Sequence, residues 1–396
     1  MRCRCNPLAI ARRYWLFPLA VVLTLLTQAG PRGADSTPST FGSPLCGEFA
    51  IAKDGRMLVL PVNVGDRVLP CLLDTGARFS GFDASLREIL GEPIGQRVLT
   101  TPAGRSRVLT YPWPDATLGG QALGTQQPVV CVDLDDVRRA TDENILGVIG
   151  MDVLRQCRLQ IDFDRGVLSF LESLPENSDE LGERLPLRFV DDAVPAIFGH
   201  LADDVVEPFA IDTGAHGNSL AAEWFDEFWE RNEIRLGSAS ISATVGGDVR
   251  TQRGRLRRFA VGPFTHDDLR FSRLPLSSLG TRYLSRFRVT FDFPGACVYL
   301  RSGAQFDKPE PRATSGLVLS WRDGETIIDS VKADGPGRRA GLKAGDALLR
   351  IDGKVADAFD PFTLRQLLTS QQGRCVPLTV RRGTRELDVE IVLDEG

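Results

Sequence analysis

From about residue 48 the chain alternates apolar and polar positions with the two-residue period of β-strands. Positions 57–64 and 67–73 are rich in Val and Leu and are separated by Gly65-Asp66, which predicts a hairpin. A second hairpin is predicted from 194–201 and 205–211, across Ala202-Asp203-Asp204. Both hairpins run directly into the same four residues, Asp74-Thr75-Gly76-Ala77 and Asp212-Thr213-Gly214-Ala215. The repetition continues further along. Gly150, Leu154, Arg158, Asp162 and Phe163 recur as Gly280, Leu284, Arg288, Asp292 and Phe293, at a constant offset of 130 positions. The two Asp-Thr-Gly copies lie 138 apart, so the offset drifts by only a few residues across each half. Two related halves are therefore expected at 48–172 and 185–301, joined by an acidic linker at 173–184. Within the second half, Trp224, Phe225, Phe228 and Trp229 form an apolar helical stripe, read as core.

A third unit follows a Pro-containing linker at 302–315. Strands are expected at 316–321 and 326–331, then a glycine-punctuated segment from Ala340 to Asp346, an apolar run at 347–351 and a turn at Asp352-Gly353. Asp360-Pro361 opens a helix, since Asp accepts from free N–H groups and Pro lacks the donor that would be unpaired there. Leu364, Leu367 and Leu368 lie on one face of it. Positions 376–380 and 387–393 supply closing strands, so this unit spans 316–396.

The first 47 residues do not fit this pattern. Arg2, Arg4, Arg12 and Arg13 precede an apolar run at 16–26, too short for a comfortable membrane span, and Thr27-Gln28-Ala29 offers small residues for cleavage. Residues 1–29 are read as a signal peptide and 30–47, rich in Gly, Ser, Thr and Pro, as a disordered tether. The competing reading is an uncleaved anchor. The expected location is exported, periplasmic or secreted, with a membrane contact only if the leader stays. Six cysteines remain after the leader, allowing fifteen pairings, and sequence does not choose among them. Without paired CxxC spacing they suggest no zinc site, and Cys71 and Cys157 read as small buried hydrophobes. A net charge of −5 gives no case for nucleic acid. The run at 253–258, with Arg253, Arg255, Arg257 and Arg258, is read as a solvent-facing strand, because no aromatic residues interleave it.

The candidate chemistry is that of Asp74 and Asp212. One Asp-Thr-Gly is weak evidence, since average usage gives about 0.1 copies in such a chain. Turn residues at a strand end are the bland alternative, but they do not explain why Thr and Ala recur as well. Two carboxylates held close together resist ionising at once and share a proton. The charged member can take a proton from water and the neutral member can give one to a carbonyl oxygen. Gly76 and Gly214 permit close backbone approach. Thr75 and Thr213 offer hydroxyls that could lock the two turns across a pseudo-twofold, and Ala77 and Ala215 keep the floor tight. No cofactor or metal is required. Asp133-Leu134-Asp135-Asp136 and Asp203-Asp204 lack the spacing of a calcium loop. His200, His216 and His266 fall in no recognisable serine or cysteine peptidase motif. His216, beside the second motif, could tune its aspartate or simply pack.

The duplicated Asp-Thr-Gly-Ala, with Val148-Ile149-Gly150 as a second signature and Ser278-Leu279-Gly280 as its poorer copy, resembles the retropepsin-like aspartic peptidases over 48–301. The resemblance implies a mainly β protein with a bilobal aspartic-peptidase-like β fold of pseudo-twofold halves. It implies an aspartic endopeptidase with Asp74 and Asp212 catalytic, Thr75, Gly76, Ala77, Thr213, Gly214 and Ala215 in support, and flaps around Gly104 and around Gly246 and Gly247. Arg78 and His216 stand where that family often has an acidic residue, and Ser80 and Ser219 suggest a one-residue shift.

Residues 316–393 resemble a bacterial-type PDZ domain, an α+β unit, through Gly335-Pro336, the segment Arg339 to Asp346 and Ile351-Asp352-Gly353. That resemblance implies an extended peptide added as a strand, in one form a C-terminal tail. Gly316, Leu317, Val318 and Leu319 would hold it, with Phe362, Arg365 and Gln366 facing it. Protein or peptide substrates are the implied partners. The alternative function is a non-catalytic exported binding or scaffold protein, and like halves of two chains could pair instead of the two halves of one.

Overall fold

The computed structural model describes residues 45–395 apart from 126, 142, 176, 203, 204 and 323. The leader at 1–29, most of the tether, and Asp203-Asp204 lie outside the described residues. The described residues belong to one compact unit, Gly42–Gly396. The chain is mainly β.

In the first half, strand Val59–Val64 turns at Gly65 and pairs antiparallel with Arg67–Leu73. Gly65 has a φ of 59°, the left-handed conformation that glycine adopts without a Cβ penalty. Leu60, Val62 and Val64 point into the core, so the alternation is that of a strand with one covered face. Strand Gly147–Ile149 then lies parallel to Arg67–Leu73, with Val148 opposite Leu72. The second half repeats the plan. Val194–Leu201 pairs antiparallel with Val205–Ile211, and Ser278–Leu279 runs parallel to the latter. The two hairpins form within a nine-stranded and an eight-stranded sheet, one for each half.

A third, six-stranded sheet takes strands from both halves. At its centre Arg158–Asp162 pairs antiparallel with Phe287–Asp292, and Gln160 faces Thr290. These two residues occupy the same place in the 130-residue repeat. Antiparallel pairing of equivalent residues puts a local twofold relation between the halves. Gln160 Nε2 donates to Thr290 Oγ1 at 2.9 Å across it. One buried cluster runs through both halves, from Leu58 and Phe82 to Phe259 and Phe291.

Helix Ala222–Glu230 buries Phe225 and Phe228 but leaves Trp229 50% exposed. The four-residue apolar stripe is thus core on one edge only. Strand Gly47–Ala50 pairs with Val167–Leu171, so ordered pairing begins at a residue expected in the tether.

The C-terminal unit has its own core, around Leu319, Ile328, Leu348, Leu364 and Val380. Its sheet runs in the order Leu317–Arg322, Glu325–Val331, Ala347–Ile351, Cys375–Arg382, Arg385–Val392. Helix Pro361–Leu367 starts as its sequence demands, with Asp360 Oδ1 accepting from Thr363 N at 2.9 Å. Ala313–Thr314, expected in the linker, pairs instead with Asp394–Glu395. Among the described residues no helix is long and apolar enough to cross a membrane. Cys71, Cys131, Cys157 and Cys297 are buried, Cys46 and Cys375 are exposed, and all six are free.

Candidate active site

Each parallel strand pair delivers an aspartate to the same level. Asp74 N donates to Ile149 O and Asp212 N to Leu279 O, both at 3.0 Å. The following turn folds back on its own carboxylate. Asp74 Oδ1 accepts from Gly76 N at 2.8 Å and Ala77 N at 3.0 Å, and Asp212 Oδ1 accepts from Gly214 N at 3.0 Å. The two carboxyl groups are close enough to shift each other's ionisation, and both line one cleft. A Cβ on Gly76 would lie 2.6 Å from Asp212 Cγ, and one on Gly214 would lie 2.3 Å from Asp74 Cγ. Only glycine lets each turn approach the opposite carboxylate this closely.

The threonines clamp the halves. Thr75 Oγ1 donates to Ile211 O at 2.5 Å, and Thr213 Oγ1 donates to Leu73 O at 2.7 Å. Each hydroxyl also accepts from the other residue's backbone N–H, Thr75 N to Thr213 Oγ1 at 3.0 Å and Thr213 N to Thr75 Oγ1 at 3.1 Å. Both threonines are fully buried, so these four bonds form away from water.

Val148-Ile149-Gly150 lies beneath the first loop. Gly150 N donates to Ser80 Oγ at 2.9 Å, and that hydroxyl donates to Asp152 Oδ1 at 2.6 Å. The second copy uses a different side chain for the same task, because Gly280 N donates to Asn218 Oδ1 at 3.2 Å. Asn218 lies 138 positions after Ser80, so the shift to Ser219 suggested by sequence is corrected: the position is kept and the acceptor is an amide. Asp152 was missed by sequence reasoning. Its Oδ2 is buried without a partner among the described residues, and burial raises its carboxyl above the usual range.

Burial likewise raises both central carboxyls, and Asp212 stands well above the usual range because the Asp74 charge adds to desolvation. Backbone N–H groups oppose the rise at Asp74. Asp74 is the better-supported carboxylate of the pair. His216 contacts neither carboxyl. Its Nδ1 meets Gly55 O at 2.9 Å, Arg282 Nε donates to its Nε2 at 3.2 Å, and its ring packs edge-on to Phe362 with centroids 4.7 Å apart. Burial, then the Arg282 charge, pushes its pKa down to about 3, so it packs as a neutral imidazole.

Two hairpin tips meet over the cleft. Gly104, Gly246 and Gly247 have φ of 131°, 98° and 131°, conformations open to glycine and strained for other residues. A Cβ on Gly246 would lie 3.5 Å from Thr101 Oγ1, so the tips touch. Thr101, Pro102, Thr244 and Val245 line the same cavity as Asp74 and Asp212.

Leu317, Val318 and Leu319 of the C-terminal unit line that cavity too, with Arg365 and Gln366. Leu319 is chiefly core, and Gly316, at φ 72°, sits against Lys332 and Gly335. Phe362 is already engaged: beyond His216, the Arg56 guanidinium lies 5.0 Å from its ring centroid, and Arg56 pairs with Asp360 at 3.6 Å. The run at 253–258 does not face solvent throughout. Arg255 is 8% exposed and Arg253 is half-buried, while Arg257 and Arg258 are exposed. The strand's alternation is as expected, but the segment carrying Pro311 covers one face, and Arg255 Nη2 donates to Pro311 O. Among the described residues no cluster suited to a metal is present.

The C-terminal unit is a PDZ domain, and the chain is a mainly β protein that carries it: the PDZ domain family matches residues 327–382. The chain is also 28% identical over 76 residues to a protein named as a probable CtpA-like serine protease of Staphylococcus haemolyticus (strain JCSC1435). That match takes in 19% of this chain and 15% of the relative's length. Among solved structures it is similar to a photosystem II D1 C-terminal processing protease, with 16% identity, a TM-score of 0.21, and coverage of 21% of this chain and 23% of the other. The curated relative, by name a serine protease, overturns the aspartic endopeptidase expected from the sequence, and the aspartyl and retropepsin-like descriptions of the enzyme go with it. The physical reason is that Asp-Thr-Gly-Ala specifies how a carboxylate is held, while the catalytic type depends on which atom attacks. What the similarity supports is coarser: a chain that carries a PDZ domain.

Proposed function

We propose that this protein is a PDZ-assisted protease acting on protein or peptide substrates, and that the Asp74–Asp212 pair is its proton-transferring site. The observation that carries the site is a pair of carboxyls, each seated against the opposite turn's glycine, raised by burial, clamped by reciprocal threonines and open to a cleft. Such a pair gives and takes a proton at a bound carbonyl without ordering a new group. The lobes around it are read as a bilobal fold of the aspartic-peptidase-like kind, supported by the pairing of Gln160 with Thr290. That reading concerns the fold and carries no catalytic type. The leader at 1–29 supports export to the periplasm or medium. The PDZ groove opens on the same cavity, so a captured segment is held near the pair at high local concentration.

The relative's name favours a second reading, in which a serine is the nucleophile. Ser219, Ser242, Ser277, Ser278 and Ser285 line the cavity. Among the described residues no serine hydroxyl hydrogen-bonds to a lysine or histidine. The test is turnover of an unfolded protein by the parent chain, by Asp74→Asn and Asp212→Asn separately, and by the parent after a fluorophosphonate. A loss of roughly 10²–10⁴ in kcat in each Asn variant is expected of a proton-transferring pair. Full turnover in both would remove the pair from the reaction. Labelling of a cavity serine with loss of turnover would assign the nucleophile to it.

A further inference from the structure

Strand Gly247–Val261 pairs with Phe264–Leu274 so that Arg255 stands opposite Arg270 and Arg253 opposite Ser272. Because side chains alternate along a strand, Arg253, Arg255 and Arg270 share one face. Like charges opposed across a sheet are destabilising, and a buried charge is costly unless paired. Two of the three are compensated. Arg255 meets Asp268 and Pro311 O, while Arg270 Nη2 donates to Pro311 O at 2.7 Å and its backbone N to Glu310 Oε2 at 3.2 Å. The Arg253 guanidinium has no hydrogen bond or ion pair among the described residues. It lines the cavity with Arg270, Arg282 and, from the PDZ helix, Arg365. These groups are close enough to repel. Burial first, then the Arg282 and Arg365 charges, brings Arg253 down to about 10, and burial brings Arg270 to about 9. Arg253 and Arg270 remain cationic at neutral pH. The chief carboxylate among them is Glu310.

The position of this cluster gives it a use. Arg282 is bonded to His216, which directly follows Ala215 of the second aspartate turn. Arg365 lies over Trp321 of the PDZ strand, with its guanidinium 4.7 Å from the ring centroid. The arginines therefore bridge the wall between the carboxylate pair and the PDZ groove.

We propose that Arg253, Arg270, Arg282 and Arg365 form an anion-binding subsite that takes acidic side chains of a peptide lying between the Asp74–Asp212 pair and the PDZ groove. The substrate class is a protein segment with Asp or Glu a short way from the reacting bond. A carboxylate there supplies the partner that Arg253 lacks and relieves the repulsion on the shared face. This inference rests on the reading of the cleft as the place where peptide lies, but not on which atom attacks.

The test is binding, measured by fluorescence anisotropy on the full chain. One probe is a labelled peptide carrying a run of glutamates; the other has glutamines in their place. Both are amidated at the C-terminus so that no terminal carboxylate contributes. The glutamate peptide should bind roughly tenfold tighter at low ionic strength, as charge-assisted hydrogen bonds predict, and the preference should shrink as salt rises. Arg253→Gln and Arg282→Gln should each lower the preference ratio, and Arg253→Lys should restore part of it. Equal binding of the two peptides by the parent chain overturns the proposal, whatever the variants do. A preference that survives in both Gln variants places the anion elsewhere and overturns it as well. Failure of the proposed reaction would appear instead as turnover retained in the Asn variants, with this binding unchanged.

Discussion

Replacing Thr75 with valine keeps the volume of the side chain and removes one hydroxyl. In the structure that hydroxyl donates to Ile211 O at 2.5 Å and accepts from Thr213 N at 3.1 Å, at a residue with no exposed surface. The substitution therefore leaves a carbonyl and an N–H buried without partners. Each such orphan costs roughly 1–3 kcal/mol, and burying a methyl in place of a hydroxyl returns part of it. The expected loss is about 2–5 kcal/mol, a large part of the roughly 5–15 kcal/mol that holds a typical domain together. Urea unfolding is the assay, with the midpoint falling at constant slope. The mirror substitution, Thr213→Val, should cost a similar amount. Because the two hydroxyls share four bonds, the double variant should show a coupling energy of roughly 0.5–3 kcal/mol instead of simple addition. A loss below about 0.5 kcal/mol, the range of an ordinary surface change, would refute the claim that these hydroxyls join the halves.

Two further predictions concern pH. Burial and the neighbouring Asp74 charge raise the Asp212 carboxyl on folding. Such a group stabilises the fold below its unfolded value of about 3.9, and that contribution is lost as pH rises through the folded value. Asp212→Asn cannot ionise, so its stability relative to the parent should grow as pH rises above about 4; a difference that stays flat in urea titrations would contradict the raised value. His216 has the opposite sign, since its folded value falls to about 3. Its contribution is present above about 6.5 and is lost as the pH drops towards 3. His216→Gln should flatten this acid limb relative to the parent, and an unchanged limb would show that the imidazole titrates freely.

Much of the strand order was legible in the residues themselves. The hairpins ending at Leu73 and Ile211 announce themselves by two-residue alternation around a turn, and these are local properties. The 130-residue repeat also anticipates that equivalent residues meet, as Gln160 and Thr290 do. The PDZ domain was readable because its glycines and its Asp-Pro helix start are short-range signals, now matched by the family over 327–382. The resemblance to aspartic peptidases, in contrast, led to a catalytic type that the named relative does not support.

What the amino-acid order determined by itself was which side chains alternate, where the chain turns, and that one tetrapeptide occurs twice at strand ends. Only the tertiary structure decided what covers each face. A run of arginines reads as solvent-facing until the segment at Pro311 closes over Arg255. Asn218 replaces Ser80 because an N–H of Gly280 needs an acceptor there, and any side-chain oxygen that reaches will serve. Phe362 lines the cavity and also packs on His216, because the PDZ helix lies against the second half. Burial of a charge, contact between two carboxyls and the filling of a groove depend on residues far apart in the chain, and periodicity along one strand carries no information about the partner that will cover it.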